Sequence, residues 1–85
     1  MKLEWSPEAR EHLREIRAFI DQHTAGAGNV VVATVLRRAE RIVDFPRAGR
    51  IVPEFPLSGA REVLLGSYRI IYAVGDSRIV IMAVI

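Results

Sequence analysis

Residues 60–85 read AREVLLGSYRIIYAVGDSRIVIMAVI, and the parsing of this stretch decides the fold. Three runs rich in β-branched and aromatic residues, AREVLLG, YRIIYAV and RIVIMAVI, are joined by the turn pieces Gly66-Ser67 and Gly75-Asp76-Ser77. Parallel neighbours need a long crossover, so connections this short predict an antiparallel meander. Alternation puts Tyr68, Ile70, Tyr72 and Val74 on one face of the middle strand and Arg69, Ile71 and Ala73 on the other. In the last run both parities are apolar, which predicts a central strand covered on both faces.

Outward from the meander, PRAGRIVPEFPLSG (46–59) is punctuated by three prolines and two glycines and reads as loop. Before it, VVVATVLRRAERIVDF (30–45) opens with valines that also suit a strand. Its length and the set Val32, Val35, Leu36, Ala39, Ile42 and Val43 favour a helix, closed by Pro46. HTAGAGN (23–29) supplies a reversal, with Asn29 as a candidate cap. SPEA (6–9) is a helix start: Ser6 caps, Pro7 loses no hydrogen bond in the first turn, and Glu8 complements the helix dipole. The helix runs to about Gln22 and buries Ala9, Leu13, Ile16 and Ile20, with Phe19 widening the stripe. KLEW (2–5) reads as a short strand. The expected architecture is one α+β domain over residues 1–85, β-α-α-β-β-β, with a helical hairpin on one side of a mostly antiparallel sheet.

With 51% apolar and 26% charged residues the composition is globular rather than disordered. So much apolar surface in a small domain predicts self-association or dependence on a partner. There is no cysteine, no apolar leader and no run long enough to cross a membrane, so the expectation is a soluble cytoplasmic protein with no membrane partner. The net charge is only +2, yet Lys2 is the single lysine and the other cations are arginines. Arginine's planar fork suits phosphates and carboxylates, which permits a nucleic-acid or acidic-protein partner; codon bias is the alternative source.

Four pieces in order, WSPEA entering a helix, FPRAGRIVPE after a second helix, then REV and YRIIYAV, resemble the RelE/ParE superfamily of bacterial toxins across nearly the whole chain. Within it the chain is more similar to ParE. The resemblance implies a type II toxin neutralised by a cognate antitoxin in a heterotetramer or larger complex, with DNA gyrase as target and replication blocked by binding. A RelE-like ribosome-dependent mRNA endonuclease is the alternative. A toxin without activity, kept as a partner in the antitoxin's repressor complex, is a third reading.

Cutting RNA requires a proton acceptor, a proton donor and cations on the phosphate. Arg61 and Arg69 match positions where ribonuclease relatives place basic residues, and Tyr68 is the nearest tyrosine. The expected lysine on the first strand is replaced by the run Val63-Leu64, and the sequence stops at Ile85 where relatives continue with basic residues. The expectation therefore leans away from an enzyme. Arg50, Arg61 and Arg69 are the candidate target- or phosphate-binding residues, with Arg61 and Arg69 projecting together from the open face if the register allows. For Arg69 the competing reading is a cross-strand pair with Glu62. Arg37, Arg38 and Arg41 on the second helix are the candidate antitoxin contacts, within a segment, residues 37–50, that also carries Arg47 and has an excess of positive charge. His12 and His23 stand apart with no ligand cluster, the serines sit in caps and turns, and no phosphate-cradling glycine loop occurs, so neither metal nor cofactor is expected.

Overall fold

The computed structural model describes residues 1–85 as β1 (Lys2–Trp5), α1 (Pro7–His23), α2 (Ala27–Asp44), β2 (Arg50–Ile51), β3 (Arg61–Leu65), β4 (Tyr68–Val74) and β5 (Arg78–Val84). The meander forms as its turns require, β3, β4 and β5 pairing antiparallel. β1 lies parallel to β5 at one edge and the two-residue β2 pairs with β3 at the other, giving the order β1-β5-β4-β3-β2. β2 falls inside the stretch that reads as loop, where prolines on both sides limit it to one step of pairing.

Ala9, Val35, Ala39 and Ile42 from the helices meet Ile70, Tyr72, Ile79, Ile81 and Val84 from the sheet in one core. Each fully buried large aliphatic side chain contributes about 1.5–3 kcal/mol relative to exposure. The two alanines keep the helix backbones close to the sheet. Phe19 departs from expectation: it is exposed and lies against His23 with ring centroids 4.9 Å apart and ring planes tilted by 51°, because it falls beside the buried stripe rather than within it.

The N-terminus of α1 follows its sequence signal, the Ser6 hydroxyl accepting the Ala9 amide at 3.0 Å. The same hydroxyl donates to the Met82 carbonyl, and the Ser6 amide donates to the Ile81 carbonyl. One turn further on, His12 Nδ1 accepts the Val84 amide at 3.2 Å. β1 ends at Trp5, opposite Ile81, so the backbone groups of β5 beyond that point find their partners on α1 instead.

The start of α2 corrects the sequence reading. Gly26, at φ 83°, is the N-cap, and Asn29 lies inside the helix. The capping acceptor comes from α1: Asp21 Oδ1 takes the Gly28 amide at 2.8 Å. A side chain on residue 28 would strike the Arg17 carbonyl and Asp21, so this glycine is required by the close approach of the two helices.

β5 is interior, but it is not covered on both faces. Tyr72 pairs with Ile81 and Ile71 with Ala83, which leaves Met82 as an extra residue in a bulge. The bulge switches the inward parity, from Ile79 and Ile81 before it to Val84 after it. The switch accounts for Val84; on the outward face Val80 and Ala83 are partly buried and Met82 is exposed. The sheet face away from the helices is open and exposes Leu64 and Met82.

Candidate binding groove

The register of β3 against β4 determines which side chains can act together. Arg61 lies opposite Tyr72 and Leu64 opposite Arg69. Directly paired residues share a face, so Arg61 projects on the helix side with Tyr72, while Arg69 projects on the open side with Glu62. The expectation that Arg61 and Arg69 share the open face is thereby overturned.

On the open face Arg69 is fully engaged. Its guanidinium grips Glu54 through two bonds of 2.7 Å and also reaches Glu62 Oε1, with Nε at 2.9 Å. Glu62, whose side chain is completely buried, receives Arg50 on its other oxygen at 2.6 and 2.7 Å. Two guanidiniums and two carboxylates make a neutral network, so the reading of Arg69 as partner to Glu62 prevails. Hydrogen bonding from Arg69 holds the Glu54 carboxyl down to about 2 and also lowers Glu62, while Glu54 raises Arg69 further above its ordinary value.

On the helix side, Arg61 Nη1 donates to the Gly49 carbonyl at 2.8 Å and to the Arg47 carbonyl at 3.3 Å. Next to it the Tyr72 hydroxyl accepts the Gly49 amide at 3.1 Å and donates to the Pro46 carbonyl at 2.8 Å. Burial pushes the Tyr72 phenol above its ordinary range. The segment after α2 is thus pinned to the sheet by one tyrosine and one arginine.

This pinning shapes a groove. One part, about 330 Å³, is lined by Arg38, Arg41, Ile42, Phe45, Ala48 and Val63. A second part, about 780 Å³, adds Arg47 and Arg61 and shares Phe45 and Ala48 with the first. Arg38, Arg41, Arg47 and Arg61 have no carboxylate partner, in contrast to Arg50 and Arg69. Phe45 projects between the two parts with 63% of its surface exposed.

Of the three candidate phosphate ligands, then, only Arg61 belongs to a basic surface; Arg50 and Arg69 are neutralised elsewhere. Arg38 and Arg41 join Arg61, whereas Arg37 bonds to Thr34 on an exposed part of α2 and does not line the groove. The trio Arg61, Arg69 and Tyr68 does not converge. Tyr68 lies opposite Leu65, four residues along β3 from Arg61, a separation of about 13 Å, and Arg69 faces the other way. No group of three histidines or acidic residues is placed to hold a metal ion.

Sequence reasoning noted Arg47 without assigning it and passed over Phe45. The available signal was an aromatic residue immediately before Pro46: the helix must end there, so its side chain is carried away from the core stripe.

The chain from residue 3 to residue 85 matches the family model described as "ParE toxin of type II toxin-antitoxin system, parDE". It belongs to the ParE toxin family. No curated protein sequence matches it significantly. Among solved structures it is similar to a chain of the chromosomal ParDE TA system from P. aeruginosa, with TM-score 0.85 and 19% identity over 99% of this chain and 92% of that one. At that identity the likeness is one of fold. The ParE helical hairpin and five-stranded sheet are therefore both present here, and the groove lies where the end of α2 meets the β3 side of the sheet.

Proposed function

We propose that this ParE-family chain is a toxin that acts by binding, inhibiting DNA gyrase and so replication, and that a cognate acidic antitoxin neutralises it. The observation behind this reading is the groove around Phe45 lined by arginines without carboxylate partners, in contrast to Arg14, Arg50, Arg69 and Arg78, which are paired with carboxylates. An antitoxin segment with acidic and apolar side chains complements that surface, placing carboxylates on Arg38 and Arg41 and an apolar residue against Phe45 and Val63. Folding on contact suits such a segment, because it brings both kinds of group together only when ordered. The groups that RNA cleavage would need are dispersed, which favours binding over catalysis.

The test is induction of the chain alone in a bacterium, following labelled thymidine and methionine incorporation over the first minutes. Early loss of thymidine incorporation with methionine sustained, abolished in a strain with altered gyrase, is the expected result. Early loss of methionine incorporation with cleaved mRNA would transfer the function to the ribosome. No effect on either would leave the chain as a structural partner of its antitoxin.

A further inference from the structure

We infer that the groove formed by Arg38, Arg41, Arg47 and Arg61 around Phe45 contacts a nucleic-acid backbone directly. This contact does not depend on the function proposed above.

Three features converge. The arginines lack carboxylate partners, so no internal ion pair must break before a phosphate binds. Arg61 is held in place by two backbone carbonyls through Nη1 alone, which leaves its Nε and Nη2 for an incoming oxyanion. Phe45 stands exposed between the Arg38–Arg41 and Arg47–Arg61 pairs, so charge, aromatic face and charge alternate along the track. A single strand offers that same alternation, phosphates on either side of a base that can stack.

The lining also excludes some modes of recognition. Beside the arginines it holds the apolar groups of Ile42, Val63 and Val74 and one carboxylate, Asp76, but no serine, threonine, asparagine or glutamine. Asparagine and glutamine, the side chains that pair with an adenine edge, are therefore missing, and the arginines are the groups left to meet phosphate. Binding here is therefore governed chiefly by phosphate charge.

The experiment is fluorescence anisotropy of the free 85-residue chain with a labelled 20-nucleotide single strand and with the matching duplex, across a salt series. The expected result is binding at low salt that weakens steeply as salt rises, with the single strand preferred. In Arg38→Gln/Arg41→Gln, affinity falls at least about tenfold, and the salt slope falls by about 1.4 if each arginine neutralises one phosphate of the single strand. Arg61→Gln weakens binding similarly. Phe45→Ala reduces the preference for the single strand. Arg14→Gln/Arg78→Gln, with the same loss of charge elsewhere, changes affinity less than about twofold, and circular dichroism shows each variant folded.

Absence of oligonucleotide binding by the wild-type chain would overturn the inference, as would binding that the groove substitutions leave intact. Saturable binding of polyglutamate without binding of either oligonucleotide would also overturn it and assign the groove to acidic protein alone. None of these outcomes bears on the thymidine measurement, so the two readings can fail separately.

Discussion

The Tyr72 hydroxyl meets the Gly49 amide at 3.1 Å, at a position where a side chain on residue 49 would collide with that hydroxyl and with the Glu62 carbonyl. The contact ties the groove's loop to the most buried aromatic side chain of the sheet. Tyr72→Phe leaves the Gly49 amide and the Pro46 carbonyl without this partner and is expected to cost about 1–3 kcal/mol. Gly49→Ala forces the loop off the sheet at a similar cost. Urea unfolding gives both values, and a change below about 0.5 kcal/mol would show that the pin is dispensable.

Alkali should attack the same contact. The folded-state pKa of Tyr72 is raised by burial, so its contribution is fully present below the unfolded value of 10.0 and is lost as pH rises through the higher folded value. Tyr72→Phe removes that loss, and comparison of the two unfolding curves above pH 10 measures it.

Acid acts on the opposite face. Glu54 and Glu62 have lowered carboxyl values, chiefly from hydrogen bonds to Arg69, so their contribution is present above the unfolded value of 4.5. For Glu54 it disappears as pH falls through about 2. Stability should therefore decline from near 4.5 downward, more gently in Glu54→Gln than in the wild type. Superimposable curves for the two proteins would show that the network has no such linkage.

The stitching of α1 to β5 is open to hydrogen exchange. His12→Phe removes the acceptor of the Val84 amide, so exchange at Val84 should accelerate about tenfold or more while the β3–β4 amides keep their protection. Ser6→Ala loses both the cap and the bond to the Met82 carbonyl, and should cost about 1–2 kcal/mol.

For the proposed antitoxin contact, reversing charge at Arg38 and Arg41 should slow association more than tenfold at low salt, with the difference narrowing as salt rises. Arg37→Glu should have the smaller effect, since Arg37 lies outside the groove. Surface plasmon resonance with immobilised antitoxin separates them, and equal effects at all three positions would spread the contact over the whole helix face.

The meander and the start of α1 were legible because each depends on local chemistry: two short turns, one proline and one capping serine. The groove was only half legible. Whether Arg61 accompanies Arg69 or Arg38 depends on which residue of β4 lies opposite it, and a shift of one residue reverses the answer. The bulge at Met82 was hidden because nothing in an all-apolar run marks where an inserted residue switches the inward parity. Asp21 as the cap of α2 was equally hidden, since it acts across the hairpin from another helix.

The parallel pairing of β1 with β5 has a consequence in time. Ser6 and Met82, joined by a hydrogen bond, are 76 residues apart, and Lys2 and Leu3 have no strand neighbour until Arg78 and Ile79 exist. During synthesis the helical hairpin can form early from local contacts, but the sheet that covers it closes only after β5 has left the ribosome. A nascent chain therefore spends most of its synthesis without the completed groove, since Arg61 and Val63 take their places beside Arg38 and Arg41 only when the sheet has closed.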